Sequence, residues 1–157
     1  MGKYFSVILI GVLAILTSCA DQIELEQTEY MVFGRYGAYC GGETCEEFFR
    51  LETERLFEET SDSYPGSGFH PFGQFVQLTQ AEFDLAKDIE SKFPTRLLVE
   101  PDTILGTPDV LDVGSVYFEL KTASEHRYWI FNNGSDNMLP EYQVFSTDIN
   151  TLINQLD

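Results

Sequence analysis

Two cysteines, Cys40 and Cys45, are separated by four residues in YCGGETC, with Gly41 and Gly42 between them. Such a pair can be half of a metal site, a redox couple or a structural bridge. A thioredoxin-like couple wants two intervening residues at a helix N-terminus, whereas here strand-forming residues follow. A zinc site would need His70 and His126 as further ligands, and neither lies at ligand spacing from another donor. His70, in GFHPFG, reads as a solvated loop residue, and His126 as an exposed turn residue beside Glu125. Asp102, Asp109 and Asp112 could gather calcium, as could Asn132, Asn133 and Asp136. Neither group follows the alternate-position spacing of an EF-hand loop, and turn residues at turns account for both. No G-x-S-x-G, H-E-x-x-H, phosphate loop or Cys-His signature occurs, so no residue is nominated as catalytic. Tyr36 and Tyr39 flank the cysteine loop, while Tyr64, Phe69 and Phe72 populate a second loop. Aromatic side chains on loops can anchor a protein partner or a sugar face, or close the ends of a core.

The compartment decides between the cysteine readings. The chain opens MGKYFSVILIGVLAILTSCADQ, with Lys3 ahead of an apolar run from Tyr4 to Leu16. That run falls short of the roughly 20 residues a membrane-spanning helix needs and has the length of a secretory signal. It closes on Leu16-Thr17-Ser18-Cys19, which resembles the lipobox of bacterial lipoproteins. The resemblance implies a signal peptide over residues 1–18, cleavage before Cys19, and a diacylglycerol (with further palmitate-type acylation) on that residue. Each buried methylene contributes about 0.8 kcal/mol, so two or three chains anchor firmly where one does not. Asp21 stands one position later than the aspartate of the inner-membrane retention signal, which favours the outer membrane in a host that has two. With Cys19 acylated in an exported chain, Cys40 and Cys45 are the remaining thiols and read as a disulfide. Closing so short a loop removes on the order of 2 kcal/mol of unfolded-state entropy. The bridge would be a local clip.

The chain has 26 acidic and 9 basic residues, for a net charge of −17. Phosphate binding needs Lys and Arg, so nucleic acid is disfavoured as a partner. Anionic headgroups are disfavoured too, leaving the lipid to make the membrane contact. No cofactor is implied. Aromatic residues make up 14% of the chain, which argues against global disorder.

The elements that must position these residues follow from periodicity. After an acidic tether over residues 19–27, a single domain over 28–157 begins. TEYMVFGRYGAY reads as a strand ending near Tyr36. EEFFRLE puts Phe49 and Leu51 on one face with Arg50 and Glu52 on the other, and ERLFEE is a third strand. ETSDSYPGSGFHPFG reads as a long exposed loop, about residues 60–73. TQAE at Thr79 is a capping box, stapled by Leu78 and Phe83, opening a helix whose stripe is Leu85, Ala86, Ile89 and Phe93. Pro94 ends it. TRLLVE then reads as a buried strand or short continuation, and residues 101–113 as an acidic irregular loop. SVYFELK and RYWIFNN form a hairpin across TASEH, with Val116, Phe118 and Leu120 opposite Tyr117, Glu119 and Lys121. A last helix runs from Pro140 through Leu156.

The expected fold is α+β, an antiparallel sheet of about five or six strands with two helices packed on one face. In outline this is similar to small uncharacterised lipoproteins of Bacteroidota-type bacteria, a likeness that implies no activity. The expected function is a lipid-anchored envelope protein with a non-enzymatic binding or structural domain, its partner another envelope protein. A hydrolase or metal-dependent enzyme using His70 or the loop at 101–113 is the alternative, and an inhibitor or immunity-type protein a second.

Overall fold

The structure, a computed structural model, describes residues 28–37, 46–61, 68–71, 73–107, 114–132 and 137–156. The fold is α+β. Among the described residues seven strands form one sheet: β1 (Thr28–Tyr36), β2 (Glu46–Leu51), β3 (Leu56–Glu59), β4 (Phe75–Gln77), β5 (Ile104–Leu105), β6 (Ser115–Thr122) and β7 (His126–Asn132). Their spatial order is β4-β3-β2-β1-β6-β7-β5. The expected meander is present in β1 to β3, whose bounds match the hydrophobic alternation.

Two details correct the expected sheet. It is mixed, because β5 pairs parallel with β7 through Ile104↔Ile130 and Leu105↔Phe131. It also has seven strands, because β4 adds antiparallel to β3. Strands of two and three residues are too short to carry a period-2 pattern, so neither was visible as an alternation. In Ile104–Leu105 the chain returns from the helical layer to the sheet edge, and Ile130 N–H donates to the Thr103 carbonyl at 2.7 Å.

The helical layer covers one face. Helix α1 (Gln80–Ala86) starts at the expected capping box: Glu82 N–H donates to the Thr79 hydroxyl, and the Thr79 N–H to the Glu82 carboxylate at 2.7 Å. The stripe then tightens into a 3₁₀ helix over Lys87–Lys92. That change of period rotates the register, so Ala86, Ile89 and Phe93 are buried while Leu85 is 50% exposed, against expectation. TRLLV is a second 3₁₀ helix, burying Leu97 but leaving Val99 in water. Its C-terminal carbonyls at Leu98 and Glu100 accept from the Arg127 guanidinium, satisfying acceptors that a helix end leaves open. Helix α2 (Pro140–Leu156) buries Tyr142, Phe145, Ile149, Leu152 and Ile153, as its spacing requires. The Phe118 ring joins the layers, stacked on Phe93 at 5.5 Å and edge-on to Phe145 at 5.0 Å.

The other face is buried as well, which the sequence reading did not anticipate. Val32, Phe48, Tyr117 and Ile130 form a second apolar cluster, with Tyr30, Tyr36 and Tyr128 packed around it. Phe48 lies across Gly34, opposite it in register, and any Cβ there would collide with that ring and with the Glu47 carbonyl. Strand β6, central between β1 and β7, is therefore buried on both sides.

Candidate functional site

The second face holds a polar group that its strand cannot hydrate. Glu119, on β6, is 2% exposed. A carboxylate withdrawn from water in this way costs several kcal/mol unless donors replace the lost hydration. Four donors do. Oε1 meets His126 Nε2 at 2.8 Å and accepts from the Tyr30 hydroxyl at 3.3 Å. Oε2 accepts from the Tyr117 hydroxyl at 2.5 Å and from the His70 backbone N–H at 3.0 Å. The same His70 N–H reaches the Tyr117 oxygen at 2.8 Å. Strands β1, β6 and β7 thus each contribute one or two groups on a single face, and the segment 68–71 is tied to them by its backbone.

Burial, then the negative charge of Glu119, pushes the Tyr30 phenol up to about 12. The same two causes, in the same order, push Tyr117 further. Both phenols are therefore neutral donors at ordinary pH, unsuited to act as phenolate nucleophiles or bases. The Arg50 guanidinium sits 4.4 Å over the Tyr30 ring and pairs with Glu52 at 2.9 Å.

What the cluster can do chemically is limited by its saturation. Both carboxylate oxygens accept two bonds, the complement an ionised carboxylate takes. The adjoining cleft between Tyr30, Arg50, His70 and Phe75 holds about 10 Å³, roughly the space of one water. The cluster reaches solvent at Tyr30, which is partly buried, and at the His126 ring, a third exposed and stacked under Phe69 at 3.8 Å. Phe69 itself is 45% exposed. The result is a clasp that holds a half-exposed aromatic ring against His126 and Tyr128. Among the described residues no three His, Cys, Asp or Glu side chains are placed to hold a metal ion.

His70, expected to be solvated in an exposed loop over 60–73, is buried at 7% exposure and packs 4.3 Å from the Phe48 ring. The Gly-Pro-rich composition marks irregular backbone, which need not be solvated backbone. His126 is the first residue of β7, not a turn residue, and its carboxylate neighbour is Glu119, not Glu125. Tyr36 is half-buried against the second cluster. Asp102 is exposed, whereas Asn132 is buried and accepts from the Ser115 hydroxyl at 2.9 Å. Cys19, Cys40, Cys45, Tyr39, Tyr64, Phe72, Asp109, Asp112, Asn133 and Asp136 lie outside the described residues. Sequence reasoning missed Glu119, Tyr30, Tyr117 and Arg50 as a group. The available signal was Glu119 in the middle of SVYFELK, on the face shared with Tyr117.

No protein-family model matches the chain, and no curated protein matches it.

Proposed function

We propose that the chain is an exported protein held to a membrane by lipid on Cys19, the outer one where the host has two. Residues 19–27 would be its tether and residues 28–157 a domain that binds another envelope protein without catalysing a reaction. The leader ending in LTSC supports the anchor. Among the described residues no helix is long and apolar enough to cross a membrane. An oxidising compartment also supports a Cys40–Cys45 bridge as a clip on the loop between β1 and β2.

One observation carries the binding reading: Phe69 lies 45% exposed over the His126 and Tyr128 rings, on a segment whose next backbone N–H is held by Glu119 and Tyr117. An exposed aromatic on a pre-ordered segment loses little conformational entropy on association, which favours recognition. Hydrolysis using His70 is less well supported, since that residue is buried beside a cleft too small for an organic substrate. The acidity at −17 supports one variant, an inhibitor-type protein drawn to a basic target. Binding that weakens steeply with salt would mark that variant.

A photo-crosslinking residue placed at position 69 in living cells tests the reading, with position 99 in the helical layer as the comparison. One dominant protein adduct is expected at 69 and none at 99. No adduct, or the same adducts at both positions, overturns it.

A further inference from the structure

Beside the clasp, with which it shares Tyr30, the molecule carries a cavity of about 370 Å³, within the range of about 300–1,000 Å³ typical of small-ligand sites. It opens where β1 begins, between the end of β2 and the first 3₁₀ helix. Its lining includes the rings of Tyr30 and Phe83 and, beneath them, the core residues Met31 and Leu51. The rim is acidic: Glu29, Glu52, Asp88 and Glu90 stand there against one cation, Lys87.

The cations near the rim are already committed. Lys87 Nζ pairs with Asp84 at 2.8 Å, outside the lining. Glu52 pairs with Arg50 at 2.9 Å and Arg55 at 3.2 Å. Among the described residues, Glu29, Asp88 and Glu90 form no ion pair. Burial raises the Glu90 carboxyl above its usual range, with the Thr28 hydroxyl acting in the opposite sense. A carboxylate so placed gains by meeting a positive charge.

A metal ion does not fit, since these acids do not converge into a three-ligand set. An anion would meet an acidic rim. An apolar floor beneath dispersed carboxylates matches a ligand with a cationic head and a short hydrocarbon body. We propose that this cavity binds a primary alkylammonium group, its chain against Phe83 and Tyr30 beside the Met31 and Leu51 floor and its ammonium held by the rim carboxylates, Glu90 and Asp88 among them. The proposal is independent of the lipid anchor and of the Phe69 surface.

The chain's three methionines, Met1, Met31 and Met138, make the test direct. The full chain in detergent, labelled with ¹³C at the methionine methyls, is titrated with n-butylammonium, butanol and butyrate. The Met31 methyl is expected to shift saturably with the amine, about tenfold more tightly than with butanol, while the Met138 methyl stays in place. Glu90→Gln is expected to weaken the amine by a similar factor and leave the butanol response alone. Asp88→Asn serves the same purpose if Glu90→Gln moves the Met138 signal and so disturbs the core. Equal binding of amine and alcohol, parallel movement of Met138, or unchanged amine binding in both variants overturns the proposal.

Discussion

At the scale of single residues, Glu119 explains more of the second face than any apolar side chain there. It is the common acceptor for Tyr30, Tyr117, His126 and the His70 N–H. Replacing it with Gln keeps the shape but turns one acceptor position into an NH₂ group facing donors. The expected cost is about 2–3 kcal/mol, measured by urea unfolding. Faster hydrogen exchange at the His70 amide is expected beyond that global loss, because this amide is what the carboxylate retains. An unchanged His70 amide would show that the segment is held by packing alone. The phenols give a pH signature. Tyr30 is raised from 10.0 to about 12, so its contribution to stability is fully present below pH 10 and lost as pH rises toward 12. Tyr117 shifts in the same direction, and Tyr142 reaches about 12, through burial first and its bond to Glu100 second. Of the eight tyrosines, these three are expected to ionise late and together with loss of structure, followed by absorbance at 295 nm and circular dichroism. Ionisation of all eight near pH 10 with the fold intact would contradict the buried placement.

At the scale of elements, what was legible depended on length and on local chemistry. Helix α1 was readable at its start because Thr79 and Glu82 satisfy each other's neighbourhood without reference to the rest of the fold. Thr79→Ala is expected to cost about 1 kcal/mol, checked by thermal unfolding. Its far half departs from the 3.6-residue period because residues 87–92 wind as 3₁₀, which aligns Ile89 with Ala86 and leaves Leu85 off the buried face. β1, β2, β6 and β7 declared themselves by alternation, including the side on which Glu119 lies. What alternation could not reveal was that the polar side would be roofed, because the roof is a segment of Gly, Phe, His and Pro with no period. Gly34 marks the closest approach on that face. Gly34→Ala is expected to force the Phe48 ring aside and destabilise by about 1–3 kcal/mol, read as a lower urea midpoint with unchanged slope. A neutral result would mean the second cluster repacks freely.

At the scale of the whole molecule, the α+β class and the two-helix layer followed from the order of periodic segments, and the mixed edge did not. The candidate site was only partly legible: His70, His126 and Phe69 were singled out one by one, but the carboxylate that unites them was not. Long-range pairing brings residues 30, 70, 119 and 126 together, and no local pattern encodes that meeting. The proposed role rests on address as much as on surface. A rigid aromatic segment serves an envelope partner only if the domain is exported and tethered, and the proposed bridge between Cys40 and Cys45 needs the same oxidising space. Intact mass spectrometry of the chain extracted from membranes addresses this most directly. The expected species begins at Cys19, carries a diacylglycerol with or without a further acyl chain, and has lost two hydrogens to a disulfide. A chain still beginning at Met1, free of lipid and with thiols open to alkylation, would contradict the account at its root.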